Sequence, residues 1–429
     1  MRTRTAALVL VLATALPRLA ALLHARGTIV TSNVDKGDIF ARTFLASGTY
    51  GFIPGHPSAY TQPLYGWFLI PFYWIVGRNW EVVGLAQICV AVGTTLIVWQ
   101  IGRRWLGAAV GLLAGLAVAL HPYLVWHDVH MNREILDHFL AAATVFLTLW
   151  AAERLGWRRA VPLGAVLGLA ILGNVRLVAL PVVILVYLVW RAGLSRGTAL
   201  AAGALVAAAA VVVMPWVVRT RADVGCWGVT TDSRSLWKAN NVNTHRILES
   251  GQWIDHVPQP ASFPPSPQDV YDHWVKTGVV LPYDECAQAS QFQSKVISFW
   301  VHHPGDKAQL VPLDAKLLWQ PSVVDVTDLP GAGTWLDTMR SIAEPAYMIP
   351  LYVLGVIGLF LVPRFFAGLA LLLLGYQTLV AVVFVGETRY RVPWDFVLAL
   401  LASAAVVGLV RRVRERDRVG GSRSPAEHA

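Results

Sequence analysis

Two acidic residues follow directly on the first apolar run of the chain. In TIVTSNVDKGDIFARTFLASG, residues 28–48, Asp35 and Asp38 stand three residues apart. A second pair of acids, Asp128 and Glu134, lies in HPYLVWHDVHMNREILDHF, between two later apolar runs. Two separate loops at one membrane edge would therefore offer carboxylates to a common cavity. A carboxylate in such a place can take the proton of an acceptor hydroxyl or amine.

Each acid also has a structural interpretation. Asp35 or Asp38 could cap the helix that DIFARTFLASG predicts, because Asp is a preferred N-cap residue. Glu134 could occupy the first turn of its helix, where the helix dipole favours a negative charge. The pairing of acids across two loops favours the catalytic interpretation over these alternatives.

Arginines are predicted on the same face as the acids. They are Arg176 after ILGN, Arg219 and Arg221 after VMPWVV, and Arg389 and Arg391 in VGETRYRVPW. A guanidinium can hold a phosphate through two parallel hydrogen bonds. Carboxylates beside such arginines suit the transfer of a sugar from a lipid phosphate, in which the arginines stabilise the departing phosphate. The alternative for ETRYR is a salt-bridged turn, with Glu387 paired to an arginine.

The composition indicates that membrane-spanning helices position these residues. Of 429 residues, 55% are hydrophobic and 14% are charged, whereas soluble domains carry roughly a quarter charged residues. Several apolar runs reach the roughly 20 residues that cross a bilayer. Ten spans are predicted, at 6–24, 81–101, 107–125, 136–152, 160–174, 176–190, 198–218, 345–362, 365–385 and 393–410. The net charge of +9 comes from short basic clusters between these runs, which indicates a topology signal and no nucleic-acid partner.

The aromatic run PLYGWFLIPFYWIVG, residues 63–77, decides the topology. If it lies along the membrane interface, the basic clusters all fall on the inner side, and if it crosses, they all move outside. The positive-inside rule therefore predicts an interfacial segment. The first apolar run continues past its weak cleavage-like site, so we expect an uncleaved first span. The outer segments are then 25–80, 126–135, 219–344 and 386–392.

These features predict an all-α polytopic membrane protein with interfacial helices in the first outer loop and a small extracytoplasmic lobe. Its parts would be an N-terminal transmembrane module (1–218) with a catalytic first outer loop (25–80), the lobe (219–344), C-terminal transmembrane helices (345–411) and a disordered cytoplasmic tail (412–429). Cys226 and Cys286 both fall in the lobe. They could form a disulfide in an oxidising compartment, but two cysteines leave the pairing open.

Several short motifs follow one another along almost the whole chain. They are DIFARTFLASGTY, TQPLYGWFLIPFYWIVG, HPYLVWHDVHMNREILDHFLAAATVFL, MPWVVRTRADVG, SLWKANNVNT, HHPGDKAQLVPLDAKLLWQP and ETRYRVPWDFVLALLASA. In this order they resemble the membrane-embedded glycosyltransferases of the GT-C type, close to glycosyltransferase family 39, with protein O-mannosyltransferases and lipid A aminoarabinose transferases. The resemblance implies an inverting transferase that moves a sugar from a polyprenyl-phosphate carrier to a glycan, lipid or protein acceptor.

The resemblance also implies catalytic roles for individual residues. The family acid, eight residues before the small residue Ala41, falls on Asn33 here. Asp35, the nearest acid, is therefore the first choice for the base, with Asp38 as its substitute. Glu134 stands at the family's second acidic position, where it would orient the acceptor, position the base or assist a metal.

For the carrier phosphate, the family pattern is altered at one position. Gln62 stands where relatives often have a lysine that contacts the phosphate. Arginines would take over this contact. The predicted binding set is Arg219, Arg389, Arg391, Arg176, Gln62 and Tyr390.

No cofactor is predicted to be required, and a divalent metal, which some relatives use, is the alternative. His56, His127 and His130 fit no standard ligand spacing, and we expect interfacial histidines to pack against aromatic rings. The composition suggests a GC-rich bacterium, so we expect the protein in a bacterial inner membrane. The basic clusters on the inner side predict an extracytoplasmic active site.

The rival interpretation is a transporter or flippase of lipid-linked sugars, because intramembrane acids and arginines also mark transport pathways. Transporters often have repeated halves with polar groups near the midplane. In this sequence the polar groups fall at one membrane edge, which favours the enzyme.

Overall fold

In the computed structural model, residues 3–26, 29, 35–322 and 335–421 are described, and this part of the chain contains no β-strand. Its α-helices are α1 (Thr3–Ala25), α2 (Lys36–Ser47), α3 (Pro63–Val76), α4 (Trp80–Ile101), α5 (Ala108–Ala119), α6 (Pro122–His127), α7 (Glu134–Glu153), α8 (Trp157–Gly173), α9 (Leu180–Ala192), α10 (Arg196–Asp223), α11 (Ser233–Lys238), α12 (Thr244–Glu249), α13 (Pro267–Thr277), α14 (Glu285–His302), α15 (Pro304–Trp319), α16 (Trp335–Leu359), α17 (Arg364–Val383), α18 (Thr388–Arg391) and α19 (Asp395–Gly421). The predicted all-α class is confirmed.

In the described part of the chain, 8 segments are long and apolar enough to cross a membrane. They are Thr3–Ala25, Trp80–Leu106, Glu134–Glu153, Val175–Ala192, Arg196–Asp223, Ser341–Leu359, Arg364–Val383 and Thr388–Glu415. Each overlaps a predicted span, so the multi-span character of the protein is confirmed.

Two predicted spans correspond to shorter helices. The span 107–125 falls on α5 and α6, which are separated at Leu120 and His121, and the span 160–174 falls on α8, with 17 residues. The count of ten therefore stays a prediction. The aromatic run at 63–77 forms α3, whose 14 residues extend about 21 Å at 1.5 Å per residue. This length is less than the roughly 30 Å of a hydrocarbon core, but α5, with 12 residues, is shorter still, so the interfacial position of α3 stays a prediction.

The acids and the basic clusters lie at opposite ends of α7. Glu134 begins this helix. Glu153 ends it, and there Arg104 from the end of α4 and Arg159 from α8 contact the Glu153 carboxylate at 2.6 and 3.4 Å. This separation is the charge asymmetry that the positive-inside rule uses to orient a membrane protein.

The first outer loop is built around a close approach of α2 and α3. A Cβ on Gly66 would lie 2.2 Å from the Tyr50 hydroxyl oxygen, and a Cβ on Gly37 would lie 3.0 Å from the Gly66 nitrogen. The Tyr50 hydroxyl donates a 2.9 Å hydrogen bond to the Pro63 carbonyl. A larger residue at Gly37 or Gly66 would push the two helices apart. Their close packing fixes the N-terminus of α2, and with it Asp35.

The lobe between α10 and α16 packs on the first outer loop. Glu285, at the start of α14, accepts a 2.9 Å hydrogen bond from the Ala59 amide and a second from the Thr231 hydroxyl. Next to it, Cys226 and Cys286 form a disulfide, with Cα atoms 5.7 Å apart. The pairing that the sequence left open is therefore present, and it joins the end of α10 to α14.

The lobe also contacts the turn that precedes α18. The buried Asp314 carboxylate in α15 accepts a 3.0 Å hydrogen bond from the Gly386 amide. Burial raises the pKa of Asp314 to about 7, although this hydrogen bond opposes the shift. The lobe thus supports the segment that carries Arg389.

The end of the chain differs from the predicted tail. Helix α19 continues to Gly421, so the first part of the tail at 412–429 is helical. Residues 422–429, together with Asn33, lie outside the described residues.

Candidate functional site

Asp35 is the N-cap of α2 and lies half-buried beside the second acidic loop. Its Oδ1 accepts a 2.7 Å hydrogen bond from the Gly37 amide, and its own amide donates a 3.2 Å hydrogen bond to the Met131 carbonyl. Burial raises the pKa of Asp35, and the Arg133 guanidinium offsets this only in part. The capping and catalytic interpretations are compatible, because the cap uses only one of the two carboxylate oxygens.

Asp38 is engaged on both oxygens. It is buried, and its Oδ1 accepts hydrogen bonds from the Tyr73 hydroxyl at 2.6 Å and from Arg78 Nε at 2.8 Å. Its Oδ2 accepts a further bond from Arg78 Nη2 at 2.9 Å. A carboxylate held in this way would have to leave an ion pair before it could accept a proton. The geometry therefore favours Asp35 as the base, with Asp38 in a supporting position.

Arg133 connects the two acidic loops, and sequence reasoning missed it. Its Nη1 donates a 2.5 Å hydrogen bond to Gln62 Oε1. Burial lowers the pKa of Arg133, but the carboxylates of Glu134 and Asp35 outweigh burial and keep this pKa above its usual value. Gln62 thus holds an arginine of the second loop, and this arginine lies close to both candidate catalytic acids.

A pocket lies between the start of α7 and the C-terminal helices. Four residues predicted from the sequence line it, namely Glu134, Arg176, Arg389 and Tyr390. It leaves about 10 Å³ for a water-sized molecule, which is room for roughly one water. Glu134 thus meets two arginines in a narrow pocket, whose lining does not include Asp35, Asp38 or Gln62.

The two arginines of the pocket share an aromatic ring. The Arg176 guanidinium lies over the Tyr390 ring, 3.3 Å from its centroid. Arg389 Nη2 donates a 2.9 Å hydrogen bond to the Tyr390 hydroxyl, and Arg389 Nε lies 2.5 Å from a Glu387 carboxylate oxygen. The salt-bridged turn is thus present in ETRYR, and the same arginine lines the pocket.

Arg219, predicted to hold the carrier phosphate, is not among the residues that line this pocket. Its guanidinium donates 2.8 Å hydrogen bonds to the carbonyls of Ser58 and Tyr50, and it pairs with Asp223 at 2.9 Å. Its donors attach the first outer loop to α10, which suits a structural role.

Arg391 is also outside the pocket lining, and it is buried. Its Nε donates to Asp395 at 2.9 Å, and its Nη1 donates to the carbonyls of Leu318 and Gln320 at 3.1 and 2.8 Å and to the Tyr352 hydroxyl. Arg391 holds the end of α15 against α19. Of the arginines in ETRYR, the structure brings only Arg389 to the pocket.

Asp128, the other acid of the second loop, is buried and pairs with Arg18 of α1 at 2.8 Å. Asp128 is therefore a structural residue, unlike Glu134, because Arg18 balances its charge inside the helix bundle.

Three polar pocket residues were not predicted from the sequence. Asp137, Asn174 and Gln377 line the pocket and are buried. Asp137 follows Glu134 by one helical turn, and Gln377 lies within the apolar helix α17. Polar side chains inside apolar spans mark functional sites. The polar residues in LDHFLAAATVF and LLLLGYQTLV could therefore have indicated Asp137 and Gln377 from the sequence.

Of the three histidines that were predicted to pack against aromatic rings, His127 and His130 do so. His127 stacks on Tyr123 with ring centroids 3.8 Å apart, and His130 lies 4.8 Å from the Trp126 ring. Over residues 3–26, 29, 35–322 and 335–421, no group of three or more His, Cys, Asp or Glu side chains is placed to hold a metal ion.

The chain is similar to glycosyltransferases in sequence pattern and in fold. Residues 55–218 match the family model of dolichyl-phosphate-mannose-protein mannosyltransferase. The fold is similar to that of the apo oligosaccharyltransferase of Archaeoglobus fulgidus, with a TM-score of 0.53 at 12% identity over 98% of this chain and 52% of that chain. The present chain thus spans about half the length of that enzyme.

A weaker similarity links the chain to ArnT from Cupriavidus metallidurans. The ArnT structure bound to undecaprenyl phosphate has a TM-score of 0.42 at 15% identity, over 93% of this chain and 77% of that chain. The apo structure has a TM-score of 0.41 at 16% identity, over 94% and 78%. No curated protein sequence matches the chain. The resemblance drawn from the sequence is confirmed: this multi-span membrane protein has the fold of the GT-C glycosyltransferases and, over residues 55–218, the pattern of the dolichyl-phosphate-mannose-protein mannosyltransferases.

Proposed function

We propose that the protein is an inverting glycosyltransferase that moves a sugar from a polyprenyl-phosphate carrier to a glycan, lipid or protein acceptor. One observation carries this proposal: Asp35 lies close enough to Arg133 and Glu134 for their charges to shift its pKa, and Glu134 lines one pocket with Arg176 and Arg389. The matching family is named for transfer from dolichyl phosphate mannose, which is itself a sugar on a polyprenyl phosphate.

Asp35 is the proposed base. Its carboxylate takes the proton from the acceptor hydroxyl or amine while the acceptor atom bonds to the anomeric carbon of the sugar. The bond from that carbon to the phosphate oxygen breaks, and its electron pair leaves with the polyprenyl phosphate. Attack from the face opposite the phosphate inverts the anomeric centre. The raised pKa of Asp35 suits this role, because a more basic carboxylate accepts a proton more readily.

Arg389 and Arg176 are the proposed phosphate ligands. Charge builds on the phosphate as the sugar departs, and guanidinium donors already in place stabilise that charge without reorganisation. Tyr390 holds both arginines through its ring and its hydroxyl. Glu387 balances the charge of Arg389 in the free enzyme. Glu134, in this proposal, orients the acceptor.

We place the reaction on the extracytoplasmic side of a bacterial inner membrane. The support is the position of Glu134 and the basic cluster around Glu153 at opposite ends of α7, since basic clusters stay on the cytoplasmic side. The disulfide between Cys226 and Cys286 supports the same side, because disulfides persist in oxidising compartments.

The test is carrier-dependent transfer by the purified protein. Radiolabelled mannosyl and arabinosyl undecaprenyl phosphates are supplied with candidate acceptors, and the release of undecaprenyl phosphate is measured alongside sugar transfer. Asp35→Asn should abolish transfer while keeping the helix cap, because Asn caps as well as Asp. Asp272→Asn in the exposed surface of α13 is the matched control. Movement of the glycolipid between leaflets without any transfer would instead support the flippase.

A further inference from the structure

Three polar atoms of residues that line the pocket are buried and have neither a hydrogen-bond partner nor, as Arg389 Nε has, an ion-pair partner. They are Oδ1 of Asp137, Nε2 of Gln377 and Nη1 of Arg176. A buried polar group without a partner costs roughly 1–3 kcal/mol. Such groups are few in native proteins and call for an explanation. Three of them on one pocket, one acceptor and two donors, form a site for a polar molecule, which is a water in the free protein and a polar ligand in the complex.

The protein holds these atoms in place through its own contacts. Asn174 Nδ2 donates a 2.9 Å hydrogen bond to Asp137 Oδ2, and Oδ1 of the same carboxylate is without a partner. The Asn174 Oδ1 accepts a 3.2 Å bond from the Arg176 amide. The Arg176 carbonyl in turn accepts a 2.6 Å bond from the hydroxyl of Tyr376, the neighbour of Gln377. Asp137 and Arg176 are thus positioned by one connected network before any ligand arrives, and this network reaches the residue next to Gln377.

We propose that Asp137, Gln377 and Arg176 form a subsite that binds hydroxyl groups of the sugar carried on the polyprenyl phosphate. A hydroxyl both donates and accepts hydrogen bonds. It can therefore donate to Asp137 Oδ1 while accepting from the amide of Gln377 or the guanidinium of Arg176. A ligand with acceptors alone would leave the Asp137 oxygen unpaired.

The position of the subsite assigns it to the donor sugar. Arg389 and Arg176, the proposed phosphate ligands, line the same pocket, and the sugar is bonded directly to that phosphate. The Arg176 guanidinium would therefore contact both the phosphate and the sugar. This inference rests on the proposed function and deepens it, because it identifies residues that select the sugar. The pocket has room for roughly one water, so the sugar ring must displace side chains as it enters.

The experiment measures binding of three probes to the purified full-length protein: undecaprenyl phosphate, mannosyl undecaprenyl phosphate and arabinosyl undecaprenyl phosphate. At least one glycosylated carrier should bind more tightly than the bare carrier. Asp137→Asn and Gln377→Leu should each lower the affinity for that glycosylated carrier by roughly tenfold or more and leave the affinity for the bare carrier unchanged. Asp272→Asn and Gln252→Leu, at exposed positions, are the matched controls and should change neither affinity.

The thermal midpoint of the ligand-free protein gives a second readout. Gln377→Leu removes a buried amide nitrogen that lacks a partner, so it should leave this midpoint unchanged or raise it. Loss of stability without ligand would show a structural role and overturn the proposal. The proposal would also be overturned if the wild-type protein bound all three carriers equally. The same holds if the variants lowered the affinity for bare and glycosylated carriers alike. If the bare carrier does not bind the wild type at all, the proposed function itself fails.

Discussion

Arg78 donates one hydrogen bond to each carboxylate oxygen of Asp38, at 2.8 and 2.9 Å. This bidentate pair separates two acids that the sequence ranked only by distance from the family position, with Asp35 first and Asp38 as its substitute. Asp38 is fixed inside the packing of α2 on α3, whereas Asp35, three residues earlier, uses one oxygen for a helix cap and lies beside Arg133 and Glu134.

The first prediction contrasts these two acids. Asp38→Asn should lower stability by roughly 1–3 kcal/mol, because it weakens a paired and buried carboxylate, with transfer per folded molecule reduced only a few-fold. Asp35→Asn should keep the thermal midpoint but lower the rate by roughly 10²–10⁴-fold. Thermal unfolding and initial rates of the two variants check this. The reverse pattern would make Asp38 the base.

The second prediction concerns pH. Burial raises the pKa of Asp35, and a general base must be deprotonated to act. Transfer should therefore be present above this pKa and be lost as the pH falls through it, with a midpoint above the roughly 3.9 of a free Asp. The measurement is kcat/KM against pH. A profile that is flat down to pH 4 would contradict the assignment.

The third prediction separates the two arginines of the RYR sequence. Arg389→Gln should weaken binding of undecaprenyl phosphate by roughly tenfold, because a charged hydrogen bond is worth about 1.5–3 kcal/mol. It should lower thermal stability less than Arg391→Gln does, because the Arg389 side chain is partly exposed. Arg391→Gln should lower thermal stability, because Leu318, Gln320 and Asp395 lose their buried partner. Equal loss of carrier affinity in both variants would contradict the placement of Arg391.

The fourth prediction concerns the disulfide. Cys226 and Cys286 are 60 residues apart in sequence, and closing a loop of this length is worth roughly 4 kcal/mol in the chain-entropy description. Cys226→Ser, or reduction of the wild type, should lower the thermal midpoint and expose the lobe to proteolysis. Cys89→Ser is the matched control, because Cys89 is a free cysteine.

The fifth prediction uses Asp314, whose pKa burial raises to about 7. A carboxyl with a raised folded pKa stabilises the protein below its unfolded pKa, and this contribution is lost as the pH rises through the folded pKa. The wild type should therefore lose stability between about pH 4 and pH 7, and the Asp314→Asn variant should lose less over this window. Thermal midpoints at pH 5 and pH 8 measure the difference. Parallel pH profiles for the two proteins would contradict it.

Much of the fold follows from the sequence alone. Long apolar runs fix most of the spans, because a bilayer requires about 20 apolar residues. The breaks within 107–125 were missed, since Leu120 and His121 end a helix inside an apolar stretch that hydropathy does not divide.

The site was predicted in part, for a physical reason. Motif position identified Glu134, Arg176, Arg389 and Tyr390, which the structure brings to one pocket. The use of Arg219 and Arg391 inside the packing could not be predicted, because both bond to carbonyl groups of distant segments. Sequence spacing gives no information on which donors such tertiary contacts consume.

The tightness of the pocket has a kinetic consequence. With room for about one water molecule, this pocket cannot admit a glycolipid head group in the conformation that the structure shows. Capture would have to wait for a transient opening between α7 and α17, so the rate of loading should saturate at high carrier concentration and report how often that gap forms.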